Sequence, residues 1–278
     1  MGLRSERRNS GHFRARALLA VLALVPVAVA RSAQTNWLDI ESQIQYAYFT
    51  EDIHSLRNLV GPLAANDSHD GLKSYYEGLL AYRLTQLSWA EADKPAGTED
   101  KQPGPVRKND RSKNEPRQMV ERCVSHLDQA LEAQSNFADA LALQSACLSM
   151  LAELSAWRAP FASPKSLTAI HKALQWAPRN PRVLLLDAIG DYEHSKPASS
   201  DPAHACEKFK AVAAVFEQER AAVDKVPGWG SAEAYTWLGR CYLDTGDAVA
   251  ARDALERALL IAPEFGQARR LLAAITSG

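Results

Sequence analysis

The 278-residue sequence is poor in cysteine, methionine and aromatic residues, with four Cys, three Met and 8% Phe, Trp and Tyr. Its cysteines, at positions 123, 147, 206 and 241, are too scattered for the close pairs of a zinc site or for a Cys-x-x-Cys redox motif. Charge excess is also missing: 32 Lys and Arg stand against 33 Asp and Glu. No basic footprint for nucleic acid follows from that balance. GxSxG, HExxH, a phosphate-cradling glycine loop and a hydrolase-type Cys/His arrangement are all absent, so the expectation is a protein that is not an enzyme, with no cofactor. Beyond residue 30 no apolar run is long enough to make a transmembrane helix.

The apolar run that does exist lies at the N-terminus. Arg4, Arg7, Arg8, Arg14 and Arg16 precede an apolar stretch over residues 17–30 that ends Ala28-Val29-Ala30. A basic start, a short apolar middle and a small-residue end predict a secretory signal peptide over residues 1–30, cleaved before Arg31. The alternative is an uncleaved N-terminal anchor. Arg7-Arg8 is followed by Asn9-Ser10-Gly11, which lacks the apolar residues of a twin-arginine signal, and no cysteine follows the run to take a lipid. Removing the leader leaves 27 Lys and Arg against 32 Asp and Glu, a formal charge of −5. Residues 31–278 then read as a single exported helical domain without a membrane span. Its expected location is the periplasm of a Gram-negative bacterium.

Residues 231–263 carry the strongest pattern. Tyr235, Leu238 and Tyr242 make an apolar helical stripe, and Gly239 lies inside it, where glycine costs about 1 kcal/mol relative to alanine. Close approach of a second helix offsets that cost, because Ala251 and Ala258 on the second helix are small and flank Leu255. Thr245-Gly246-Asp247 forms the turn, with Gly246 suited to a left-handed conformation and Asp247 to an N-cap. Pro263 ends the unit.

Leu238-Gly239, Tyr242, Gly246, Ala251, Leu255, Ala258 and Pro263 resemble the tetratricopeptide repeat, with Tyr235 in place of its usual Trp and Leu255 in place of its Phe. The resemblance is clear over 231–263 and degenerate over about 116–195, where Cys123, Leu127 and Ala130 take the places of Ala251, Leu255 and Ala258, and Ser145 that of Gly239. It implies an all-α fold, a right-handed solenoid of about five antiparallel helix pairs with a C-terminal capping helix. The pairs are expected at 38–49 with 51–63, 72–89 with 117–134, 137–157 with a helix opening at Ser163-Pro164, 181–195 with 203–223, and 231–263. Residues 265–275 form the cap. Thr50 is the expected cap between the first two helices, and Asp67 or Ser68 that of the third. Residues 91–116, dense in Pro, Gly and charge, read as a disordered insertion.

Cys123 and Cys147 are symmetric about Ser135, the centre of a tight turn, which makes a disulfide between them geometrically possible. Cys206 and Cys241 lack that symmetry; the alternative for all four is a buried, small apolar side chain. If Ile189-Gly190 corresponds to Leu238-Gly239, then Asp187, Asp191 and His194 share a helical face, although Ala188 also suits the seam. By resemblance, that face lines a concave groove together with Glu233, Thr236, Arg240, Leu243 and Asp244, and mixed charges there suit a peptide. Taken individually, Asp187, Asp191 and His194 read first as a plain solvated face, and a metal site from the three is the weaker alternative. Tyr75, Tyr82 and Trp89 recur every seven residues, as core or as a ligand-facing stripe; Trp37, Tyr46 and Tyr48 suit packing.

The functional expectation is therefore an exported adaptor that binds an unidentified protein or peptide partner through its concave face. The alternatives are a small-ligand or substrate-binding accessory component of an envelope transport or export system, and a self-associating structural protein in a homo-oligomer.

Overall fold

The computed structural model describes residues 25–66, 71–92, 111–195, 202–219 and 226–276, and these are helical with short turns. Eleven helices follow one another among them: α1 Val25–Phe49, α2 Ile53–Ala64, α3 Gly71–Ala92, α4 Arg111–Ala133, α5 Ala138–Leu154, α6 Ala159–Trp176, α7 Pro181–Ser195, α8 Pro202–Glu219, α9 Ser231–Asp244, α10 Ala248–Ile261 and α11 Gly266–Thr276. The predicted leader lies mostly outside the described residues, as do Asp67, Ser68 and residues 93–110 of the predicted insertion. Helices α3 and α4 reach into that insertion from its two ends.

Each helix packs on its neighbour in sequence, and odd-numbered helices also meet one another, α1 on α3, α3 on α5, α5 on α7 and α9 on α11. The result is an inner layer of odd helices and an outer layer of even ones, the architecture of five helix pairs with α11 as a lid. Two glycines show why the pairs close tightly. A Cβ on Gly239 would stand 2.6 Å from Leu255 Cγ, and one on Gly78 would stand 2.7 Å from Leu127 Cγ. Both leucines are fully buried, as are Cys123 and Ala130 on α4 and Ala251 and Ala258 on α10. The same knob therefore enters the same glycine gap in the second and fifth pairs. In the third pair the seam is polar instead: Ser145 and Ser166 hydroxyls lie 2.9 Å apart, and the Ser166 hydroxyl also donates to the Ser145 carbonyl at 2.9 Å.

Local signals set most of the ends. Asp247 caps α10, accepting from Ala250 N at 3.0 Å, and Gly246 turns the chain with φ of 81°. The cap of α2 is Asp52, not Thr50. Asp52 accepts from Ser55 N at 2.9 Å, which holds its carboxyl below the ordinary carboxylate range, first through the Ser55 hydroxyl and then through that amide. Thr50 instead donates its hydroxyl back to the Tyr46 carbonyl at the end of α1, 2.9 Å away, a bond that suits a C-terminal turn. Helix α6 likewise begins earlier than Ser163, at Ala159, because Pro160 falls in its first turn, where a missing N–H costs nothing.

Candidate functional site

The inner face of the fifth pair is closed by the N-terminal helices. Glu233, at the start of α9, is buried and paired with Arg83 of α3, itself 2% exposed. Gln45 of α1 donates to the same carboxylate at 3.3 Å. Burial alone would lower the Arg83 pKa, but the Glu233 charge outweighs it and holds the guanidinium above its ordinary value. Its planar face lies 4.0 Å from the Tyr48 ring centre and 4.9 Å from that of Trp229. Around this pair, Trp229 Nε1 donates to the Tyr75 hydroxyl at 2.7 Å, and Gly228 N donates to Glu41 at 3.0 Å. Tyr76 donates to Glu41 at 2.6 Å, yet burial still pushes that carboxyl upward. Farther out, Phe49 and Phe265 rings are 4.5 Å apart and Arg270 bridges Glu51. The first pair thus seals against the last.

Position matters in this arrangement. Glu233 lies six residues before the seam glycine Gly239; Asp139 lies six before Ser145; Arg182 lies six before Ala188. All three are buried. Arg182 donates to Asp139 at 2.7 Å and, with both terminal nitrogens, to Glu219 at 2.8 Å. Repeat-equivalent positions therefore carry the charges that knit the inner face, and sequence periodicity could have found them once the seam of each pair was fixed.

That seam differs from the expected one in the fourth pair. A Cβ on Gly190 would meet nothing within 4 Å, whereas Ala188 is buried. Ala188 is the seam residue, so Asp187 and Asp191 are rotated away from the inner face toward α8. Lys208 Nζ lies 3.0 Å from Asp187 and also bonds Asp191, so an ammonium sits where a metal would have to. His194 Nδ1 donates to the Gly190 carbonyl at 2.6 Å. Thr236 is buried and donates to the Ala232 carbonyl at 2.9 Å, and with Glu233 it leaves the list of groove-lining groups.

The remaining predicted residues gather at the C-terminal ends of α7 and α9. Asp244 is exposed and accepts from the Tyr192 hydroxyl; the charge of Asp244, after burial, pushes that phenol above its ordinary range. Arg240 covers the Trp237 ring at 5.2 Å, and Trp237 stacks on Phe209 at 6.0 Å. Leu243 is half-buried beside them. Arg240 and Asp244 thus flank an aromatic cluster of Tyr192, Phe209 and Trp237, while Asp191 and His194 are exposed on α7.

Tyr75 and Tyr82 are core, 0% and 4% exposed, and Trp89 is half-buried. Trp37 stacks on Tyr76 at 5.3 Å, whereas Tyr46 is 60% exposed and does not pack. Cys123 and Cys147 form a disulfide with Cα atoms 6.3 Å apart. Cys206 and Cys241 form a second, with Cα atoms 5.5 Å apart, between helices whose sequence separation conceals their approach.

The tetratricopeptide-repeat family model matches residues 204–275, spanning α8 to α11. Over that segment the chain is similar to tetratricopeptide repeats. The solved structure of the assembly chaperone of RpL4 (residues 1–338) is similar over 88% of this chain and 95% of its own, at 12% identity and a TM-score of 0.35. At that score the likeness adds nothing to the helix packing described above. No curated protein matches the sequence. No helix among the described residues is long and apolar enough to cross a membrane.

Proposed function

We propose that the chain is an exported protein-interaction scaffold that holds a partner at the rim formed by Asp191, His194, Arg240 and Asp244. The observation that carries this reading is the repeat segment over 204–275, which includes α9 and its rim residues. Because Arg83, Gln45 and the loop before α9 fill the inner face at Glu233, a partner meets the C-terminal ends of the inner helices, where both signs of charge stand over aromatic rings. Export is supported by the N-terminal basic and apolar pattern and by the pairing of all four cysteines, which suits an oxidising compartment. The periplasm is the compartment proposed.

The test is site-specific photocrosslinking in the native envelope with the crosslinker at Asp244, with Val249 on α10 as the control position. A discrete adduct at Asp244 that disappears in an Arg240→Glu, Asp191→Lys variant supports the rim. An adduct pattern unchanged by that double variant, or identical at Val249, overturns it.

A further inference from the structure

Helix α6 is basic and exposed along one side. Its sequence APFASPKSLTAIHKALQW contains Lys165 and Lys172 and no Asp or Glu, in a protein whose acids outnumber its bases. Phe161, Lys165, Thr168, Lys172 and Trp176 are spaced i, i+4, i+7, i+11 and i+15, which puts them on one stripe along the whole helix. Phe161 is 71% exposed and Trp176 47%, so a large aromatic stands in solvent at each end of the stripe. Neither lysine makes an ion pair among the described residues.

Beside this stripe runs a groove of about 420 Å³ between α4 and α6, with α5 as its base. Val124, Leu141, Leu148 and Ala169 supply apolar surface, and the lysines and Thr168 form one wall. The other wall presents Asp128, which accepts from Gln144 Nε2 at 2.7 Å and faces Lys165. From Phe161 to Trp176 the stripe spans about 22 Å at 1.5 Å per residue, the length of a four-turn helix.

We infer that this groove docks an amphipathic, acidic helical segment of a partner protein. Its apolar face rests on the floor, two carboxylates seven residues apart reach Lys165 and Lys172, and Phe161 and Trp176 hold its ends. The inference rests on the interaction-scaffold reading but concerns a second surface, on the outer layer of the third pair and away from the α7–α9 rim. Charge and shape favour this occupant. The lysine wall selects an acidic partner, and a cleft with apolar surface between two helices suits a third helix better than the flat face of a bilayer.

The probe is a synthetic fifteen-residue helix-forming peptide with Leu on one face and Glu seven residues apart, labelled for fluorescence anisotropy. Saturable binding to the full chain is expected, weakened at least tenfold by Lys165→Glu with Lys172→Glu and by Phe161→Ala, and unaffected by Arg240→Glu. Circular dichroism of these surface variants confirms that they remain folded. The proposal is overturned if the Glu-to-Lys peptide binds equally well, or if no saturation is reached. It is also overturned if sedimentation shows a self-associated chain that Phe161→Ala dissociates, or if anionic vesicles capture the chain through the two lysines while the peptide does not bind. An Asp244 adduct pattern that the Arg240→Glu, Asp191→Lys variant leaves unchanged, with peptide binding retained, would reject the rim alone.

Discussion

At the residue scale, three glycines in equivalent-looking sequence settings have opposite physical roles. Gly239 and Gly78 are gaps filled by Leu255 and Leu127, whereas Gly190 faces open space. Alanine is a better helix former than glycine by about 1 kcal/mol, so the sign of each Gly→Ala change depends on what its methyl meets. At Gly239 the methyl would meet Leu255 Cγ and Cδ2 at 2.6 and 2.8 Å, near the branch point and not only the tip of the side chain. Overpacking of about 1–3 kcal/mol then outweighs the helical gain. We expect Gly239→Ala to lose about 1 kcal/mol, and Gly190→Ala to gain about 0.5–1 kcal/mol, in urea titrations at constant m-value. Equal shifts for the two variants would remove the seam assignment. The sequence shows both glycines but not the rotation of α7, and that rotation decides between Ala188 and Gly190 as the seam residue.

At the scale of elements, helix order and pairing were legible because apolar periodicity, Pro and Gly punctuation and capping residues are all local. The ends that slipped have local reasons too: Pro160 opens α6 four residues before Pro164, and Asp52 competes with Thr50. The closure of α1 and α3 on α9 was not legible, since Gln45 and Arg83 reach Glu233 across 188 and 150 residues. No periodicity encodes such a contact. It also changed the candidate site, taking Glu233 and Thr236 out of the groove and leaving Arg240 and Asp244 at the rim. The buried pair is a strong constraint: Arg83 Nε and Glu233 Oε2 have no hydrogen-bond partner among the described residues. Removing one member strands the other charge. We expect Glu233→Ala to cost about 3–5 kcal/mol, and Arg83→Met with Glu233→Leu to cost far less than the sum of the two single changes. A double-mutant cycle in denaturant measures this coupling. Additive single effects would mean that the pair does not hold α3 to α9.

For the whole molecule, the disulfides sit at corresponding joints. Cys123 of α4 binds Cys147 of α5, joining the second pair to the third, and Cys206 of α8 binds Cys241 of α9, joining the fourth to the fifth. Each links the outer helix of one pair to the inner helix of the next, and a solenoid depends for its cooperativity on such nearest-neighbour interfaces. Their loops are short, 24 and 35 residues, so chain-entropy arguments give each about 3–4 kcal/mol of stabilisation. Removing either bridge by paired Cys→Ala changes should lower the thermal midpoint by about 10 °C. The two losses differ in form. Without Cys206–Cys241, the α9–α11 unit remains tied to the N-terminal helices through Glu233 and Arg270, so unfolding should stay a single transition. Adding Glu233→Ala to that variant should split it, with α9–α11 melting first. A single transition in the combined variant, followed by circular dichroism and by Trp237 fluorescence together, would show that neither joint nor latch sets the cooperativity of the closed solenoid.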